Sequence, residues 1–383
     1  MGSRSVAVAL VTLATFTDLV AYSICVPVLP DFAHRLGASP TMIGLLFASF
    51  GVTLLAVSVP MGVVSDRIGR KGPLALGMLV LAGATVLFAR ADSLGWLFAA
   101  RMIQGAADGV TWVVGFALIA DRYGPDERGR VMGYVMSGTS IGIMLGPSIG
   151  GWLYEAGGVS LPFECTAGLA LACAVGFALM PPVVRGPATA SPSIWSVARV
   201  PAVALCAVAV VATGATIAML EPVLPMFFTR RLGLTPSQIG WLFGGAAVSS
   251  IVMPFVWGPL TDRWGGRRLT YLGLALTAVW LPVMATASSF RTAMALMIVQ
   301  WIAIGLVVTP SLAYMAETTS FIDGDVYGVG YGIYNTAWGV GILAGPALGG
   351  WLFERSSFGA LTVGWAAALL LVTLWLSRLQ FQR

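Results

Sequence analysis

A run of about 20 apolar residues, wound into a helix, is as long as a bilayer's hydrocarbon core is thick. This sequence contains twelve such runs, centred near Ala14, Thr53, Leu81, Val110, Ile141, Ala172, Val211, Ser249, Ala278, Ala303, Trp338 and Ala368. Connections are mostly short, and the longest break, Pro181 to Pro201, divides the runs six and six. Of 383 residues, 58% are hydrophobic and 10% charged, whereas a soluble domain carries about 25% charged residues. Backbone amides in hydrocarbon must be satisfied within the chain, so spans of this length are helices. The alternating short segments of an outer-membrane barrel are absent. The expected fold class is an all-α membrane protein with twelve transmembrane helices in two pseudo-symmetric six-helix bundles. The expected domains are residues 1–181, a cytoplasmic linker over 182–200, and residues 201–383.

Several function classes drop out. No GxxxxGK[ST] loop occurs, so ATP-driven pumping is not expected. The net charge of +5 is scattered over short loops, which argues against nucleic-acid binding. Cys25, Cys165, Cys173 and Cys206 lie in or beside apolar runs without metal-ligand spacing, and they read as packing residues. His34 falls in a loop and makes no metal site alone. No nucleophile–base pair is visible, so neither an enzyme nor a cofactor is expected. One lysine, Lys71, stands against twenty arginines, a bias that points to a high-GC bacterial source.

Arginine placement orients the spans. With the N-terminus inside, fourteen basic residues fall on the cytoplasmic side, among them Arg67, Arg70, Lys71, Arg122, Arg263, Arg267 and Arg268. Six (Arg35, Arg90, Arg230, Arg231, Arg291 and Arg355) fall opposite. Both termini are therefore expected in the cytoplasm, with the protein multi-pass in an inner (plasma) membrane and monomeric.

The two halves repeat. Val26 to Phe47 and Glu221 to Phe243 share the frame xPVLPxFxxRLGxxPxxIGxLF, with one residue inserted in the second copy. Asp66-Arg67-Ile-Gly69-Arg70-Lys71 after helix 2 has a counterpart in Asp262-Arg263-Trp-Gly265-Gly266-Arg267 after helix 8, the aspartates lying 196 residues apart. Gly146-Pro147 through Glu155 in helix 5 is matched by Gly345-Pro346 through Glu354 in helix 11. Helix 5 also carries Gly138 and Gly142. Such duplication is a mark of transporters built from internal repeats.

Three acids stand inside apolar runs: Asp18 in helix 1, Asp108 in helix 4 and Glu221 in helix 7. An ionised carboxylate at a bilayer centre costs at least about 2.5–3.5 kcal/mol unless paired or wet. Asp18 reads either as an acid satisfied by neighbouring Ser or Thr, or as a cavity-facing site where proton and organic cation compete. Glu221 receives the same reading. Pro222 and Pro225 after it remove backbone donors, which predicts free carbonyls or a bend near Ile217 to Glu221. As helices 1 and 7 correspond, both acids are expected near one midplane cavity. Arg101, seven residues before Asp108, shares its helix face. That leaves an external Arg101–Asp108 pair and a proton site at Asp108 as open readings. Trp112, Tyr314, Tyr331, Tyr334 and Trp338 are candidates for cation–π contact with an aromatic amine, or packing residues.

These motifs resemble the major facilitator superfamily. The G-x-x-x-D-R-x-G-R-K loop from Gly62 to Lys71 is the superfamily's signature. The Gly/Pro pattern of helix 5 and Arg101-Met-Ile-Gln104-Gly105 resemble its proton-coupled antiporter branch. Within that branch Asp18, the IAMLEPVLP of Ile217 to Pro225, DERGRVMG of Asp126 to Gly133, and GLLFAS of Gly44 to Ser49 are similar to vesicular amine transporters. The resemblance implies that acids matching Asp18 and Glu221 engage a protonated amine. It also implies that Asp66 meets the N-terminal dipole of helix 11 and a loop arginine reaches Asp121, locking an outward-open state, with Asp262 and Arg263 as counterparts. A helix-11 aspartate of that family is Asn335 here, and its helix-2 lysine partner is Phe50. No helix-10 acid stands near Val308 or Thr309, and the long luminal loop after helix 1 is missing. Bacterial drug-efflux relatives are therefore the nearer functional expectation.

The expected activity is proton-coupled antiport of cationic or aromatic amines or amphipathic drugs by alternating access, with protons, the small-molecule cation and the lipid bilayer as partners. The competing readings are a proton-coupled metabolite symporter of the same fold and a non-transporting membrane receptor.

Overall fold

The structure, a computed structural model, describes residues 3–181, 194–319 and 327–379. Twelve long helices carry the chain: α1 (Ser3–Ser23), α2 (Pro40–Ile68), α3 (Lys71–Ala89), α4 (Leu94–Arg122), α5 (Pro125–Gly157), α6 (Ser160–Leu179), α7 (Pro201–Leu232), α8 (Pro236–Val252), α9 (Gly266–Trp280), α10 (Phe290–Thr319), α11 (Tyr327–Arg355) and α12 (Phe358–Arg378). Each of the twelve apolar centres falls in a different one. Ten spans, counting the short elements that extend α1 and α9, are long and apolar enough to cross a membrane. The bent pair of α8 with Pro254–Trp264 makes eleven. α5, 33 residues long with charges in its first turns, is the twelfth helix. Most of the expected linker, residues 182–193 with Arg185, lies outside the described residues.

Helix ends follow local chemistry. The Ser39 hydroxyl caps α2 by accepting from Met42 N at 3.3 Å, and Ser357 does the same for α12 from Ala360 N at 3.1 Å. Gly233 ends α7 with φ +64°, the left-handed conformation that favours glycine. The duplicated PVLP behaves differently in its two settings. In the first copy Val26–Val28 tightens into a 3₁₀ turn before a short helix, Leu29–Leu36. In the second, α7 runs unbroken through Pro222 and Pro225. A bend of 43° occurs where Pro254 follows α8.

Two compact units emerge, residues 1–187 with 235–244, and residues 188–234 with 245–383. In the first, Ala14, Leu74, Val114, Ala170 and Phe177 belong to one buried apolar cluster. In the second, one cluster gathers Val210, Tyr314 and Tyr334, and another Leu274, Val307 and Leu369. Large apolar side chains such as Val59, Leu179 and Phe255 are at least three-quarters exposed, as suits helices whose outer solvent is lipid.

Glycine sets the closest helix contacts. A Cβ at Gly142 would enter the backbone of Phe16 in α1, and one at Gly345 the backbone of Ala215 in α7. The pairs α1–α5 and α7–α11 thus both close on glycine, as small residues do in membrane interfaces. Within the first unit, Ser148 of α5 donates to Gly240 O at 2.9 Å. Glu155 accepts from Thr235 Oγ1 at 2.8 Å and from Ser237 N at 3.1 Å.

Candidate functional site

In the first unit, α1 and α4 bring Asp18 and Asp108 together as neighbouring buried carboxyls, 2% and 5% exposed. The hydroxyls that might satisfy Asp18 are engaged elsewhere. Thr15 donates to Thr12 O at 3.1 Å, Thr17 to Leu13 O at 2.7 Å and Ser23 to Leu19 O at 2.7 Å. Thr111, across on α4, donates to Ala107 O at 3.2 Å. Both Asp18 oxygens are left buried without a hydrogen bond of ordinary geometry. The α1 hydroxyls bond back to their own turn, which leaves Thr111 of α4 as the hydroxyl that faces Asp18. Asp108 is better served, since the Trp112 indole N–H donates to its Oδ1 at 3.0 Å. Trp112 also stacks on Phe116, with centroids 5.5 Å apart and planes 19° apart.

Arg101 does not pair with Asp108, and that expectation is corrected. Its Nη2 donates to Tyr22 O at 2.9 Å and to Cys25 Sγ at 2.7 Å, and its Nη1 to Gln104 Oε1 at 3.3 Å. Side chains of a helix lean toward its N-terminus, so Arg101 reaches away from Asp108, two turns further on. The guanidinium is fully buried and lies over four rings, Phe47 at 4.6 Å, Tyr22 and Phe88 at 5.4 Å and Phe50 at 5.7 Å. Phe50 is thus one of the rings that cage the cation. Gln104 extends the chain to Thr85 Oγ1 at 3.1 Å. Tyr22 was not singled out from sequence, and Cys25 was read only as a packing residue. Tyr22 lies one turn after Asp18, and that spacing is the only signal that marks it.

At the end of α2, Arg70 forms an ion-pair bridge. Its Nε meets Asp121 Oδ2 at 2.9 Å, its Nη2 meets Asp66 Oδ1 at 2.7 Å, and its Nη1 donates to Ser65 Oγ at 2.6 Å. Burial works against the Arg70 charge. The hydrogen bonds and charges of Asp121 and Asp66 together more than offset it, leaving the guanidinium above its ordinary value. Arg67 is exposed. Gly146 meets Ser23 of α1, and Pro147 stays within a continuous α5.

In the second unit, Glu221 is buried in α7, 6% exposed, between Leu220 and Pro222. By repeat register Glu221 aligns with Val26, and the counterpart of Asp18 is Thr213. Thr213 is buried and donates to Ala209 O at 2.8 Å. The two acids therefore do not occupy matching turns of their helices. Tyr334 and Ser311 share a hydrogen bond of 3.2 Å, and Tyr314 packs edge-on to Tyr271 at 6.4 Å. Trp338 and Asn335 are half-buried on α11, and Trp338 borders Gly214. The side chain of Tyr331 lies outside the described residues. Asp262 and Arg263 are exposed, while Arg267 donates to Leu379 O at 3.2 Å and faces the Tyr271 ring at 5.6 Å.

Known proteins match along nearly the whole chain. The MFS-type transporter SLC18B1 of Homo sapiens is 26% identical over 377 residues, covering 92% of this chain and 80% of that protein. The synaptic vesicular amine transporter of Homo sapiens is 28% identical over 319 residues, or 82% of this chain; the match spans 62% of that longer protein. Among solved structures, a bacterial homolog of the human lysosomal transporter Spinster superposes with a TM-score of 0.83 at 15% identity, covering 99% of this chain and 97% of that one. The nucleoside transporter NupG superposes at 0.80 and 12% identity, over the full length of both chains. The family model for the Major Facilitator Superfamily matches residues 11–218 and again 205–381, so the duplicated helical halves, the loop signatures and the alignments agree that this multi-pass membrane chain belongs to the Major Facilitator Superfamily.

Proposed function

We propose that this transporter exchanges protons for protonated aromatic or amphipathic amines by alternating access, with Asp18, Asp108 and Glu221 as the acids that bind either one. The observation that carries this reading is Asp18: a 2%-exposed carboxyl inside a membrane helix with, among the described residues, no ion pair. A group kept at that cost inside a membrane helix is a functional site by default. The amine transporters that align with this chain support the choice of cargo. Trp112, Tyr314, Tyr334, Trp338 and Asn335 are the polar and aromatic groups proposed to meet the cargo's ring or its hydrogen-bonding edge.

The Arg70–Asp66–Asp121 bridge is proposed as the conformational lock of the first half, with Asp262 and Arg263 as its counterpart. Arginine bias supports cytoplasmic termini in a plasma membrane.

The test is uptake of a labelled aromatic amine into proteoliposomes under an imposed pH gradient. Wild type is expected to concentrate the amine, and Asp18→Asn and Glu221→Gln to lose gradient-driven uptake. Undiminished uptake by both variants sinks the assignment of these acids, and uptake indifferent to the gradient sinks proton coupling.

A further inference from the structure

The two copies of PVLP carry the same prolines and still fold differently. Pro27 and Pro222 each strip one N–H from the helix ladder at matching positions. Yet Val26–Val28 is a 3₁₀ turn after α1, while the matching stretch of α7 stays α-helical. The helices packed against the two copies are not equivalent either. α4 packs on α1 and α10 on α7. Gln104, Ala107 and Gly109 of α4 recur as Gln300, Ala303 and Gly305 of α10, each 196 positions on. That register puts Met297 where α4 has Arg101.

In the first half, Arg101 Nη2 donates to Tyr22 O at 2.9 Å and to Cys25 Sγ at 2.7 Å. Tyr22 O is the acceptor that a continuous helix would offer to the N–H of Val26, four residues on. A charged N–H makes a hydrogen bond about twice as strong as a neutral one, and a cation suits a helix C-terminus. Cys25 sits at φ −77° and ψ −16°, and Val28 N turns back to Cys25 O at 3.1 Å, which begins the 3₁₀ winding. Gln104 and four rings keep the guanidinium in place. In the second half Met297 has no N–H or O–H to donate. Gln300 is fully buried, and among the described residues neither atom of its amide finds a partner. Ile217 and Leu220 stand where α1 has Tyr22 and Cys25, and α7 keeps its ladder.

We propose that Arg101 is a positioning residue: it is the pin that holds α1 broken after Tyr22. By taking the Tyr22 carbonyl out of the ladder, it separates the outer segment, Leu29–Leu36, from the stretch that carries Asp18. The pin acts whatever the cargo is. α7 has no such pin, and it carries Glu221 inside a continuous helix. The rival cause is local composition. Ser23, Ile24, Cys25 and Val26 are weaker helix formers than Ala218, Met219, Leu220 and Glu221, and composition would break α1 with or without Arg101.

Hydrogen exchange read at single amides by mass spectrometry, on purified protein in one detergent, separates the two causes. The amides compared are Val26 and its counterpart Glu221, each relative to its intrinsic rate. In wild type Val26 should exchange at least about tenfold faster than Glu221, as an amide outside the ladder does; equal rates would remove the break and the proposal with it. Arg101→Met gives α4 the side chain that α10 has. It should slow Val26 by about tenfold or more, toward the Glu221 rate, because Tyr22 O returns to the backbone. A Val26 that stays as fast as in wild type, or becomes faster, overturns the proposal and leaves composition as the cause. Arg101→Lys keeps a donor for Tyr22 O, and Val26 should remain fast; slowing as large as that in Arg101→Met would show that side-chain shape, and not the donated bond, sets the break. Ser23→Ala combined with Ile24→Met leaves Arg101 untouched and raises local helix propensity. It decides the matter even if Arg101→Met is poorly folded: Val26 should stay fast, and a tenfold slowing there would sink the pin.

Discussion

Arg101 offers the sharpest stability test, because three effects of known size meet there. Its charged hydrogen bonds, to Tyr22 O, Cys25 Sγ and Gln104 Oε1, are each worth about 1.5–3 kcal/mol to a charged group at best, less for the sulfur and the longer bond. Four aromatic faces add about 0.5–2 kcal/mol each when dry. Against them stands the desolvation of a fully buried guanidinium, several kcal/mol even after relaxation, with Nε left without a partner. The attractions and the desolvation oppose each other, and replacing a buried charge by an apolar side chain of similar volume is often neutral or stabilising, so volume decides the ranking. Arg101→Met keeps most of the packing and sheds the buried charge, and it should lie within about 2 kcal/mol of wild type. Arg101→Ala opens a cavity beside Phe47 and Phe88 and should cost about 3–5 kcal/mol. Arg101→Lys keeps the charge and its desolvation, but a compact ammonium cannot serve Tyr22 and Gln104 together, so it should fall below Met. The assay is thermal unfolding of purified protein in one detergent, followed by intrinsic fluorescence. A midpoint for Lys above that for Met would refute the reasoning, because it would show that the charge stabilises the bundle by more than its burial costs.

Other expectations follow from the same geometry. Gly142→Val and Gly345→Val should each destabilise by about 1–3 kcal/mol or more, since the new side chain meets backbone and has no rotamer that escapes it; comparable losses in yield and melting midpoint would check this. A double-mutant cycle of Arg70→Ala with Asp121→Asn should give a coupling of about 0.5–3 kcal/mol, measured from unfolding midpoints. The same cycle with Asp66, whose side chain is 62% exposed, should give no more than about 1 kcal/mol. Because the Arg70 charge is held above its ordinary value, its contribution is present below that value and lost only at strongly alkaline pH. The Arg70–Asp121 coupling should therefore stay constant between about pH 6 and 9; a coupling that halves in that window would contradict the bridge.

Much was legible in one dimension. Helix number and class follow from apolar run length, because hydrocarbon forces every span to close its own hydrogen bonds. Asp18, Asp108 and Glu221 stood out because an acid in an apolar run is costly wherever it points. Partner choice was not legible. Arg101 and Asp108 share a helix face, yet side-chain lean and the carbonyl of Tyr22 take the guanidinium to α1. The PVLP repeat is the same in both halves and forms a 3₁₀ turn in one and unbroken α-helix in the other. The union of Asp18 with Asp108 joins residues 90 positions apart through the packing of α1 on α4, which no periodicity encodes. Sequence alone determined which residues cost free energy inside a membrane. The tertiary structure decided which neighbours each of them found there, because that depends on interhelical distances set by the summed packing of every helix in the bundle.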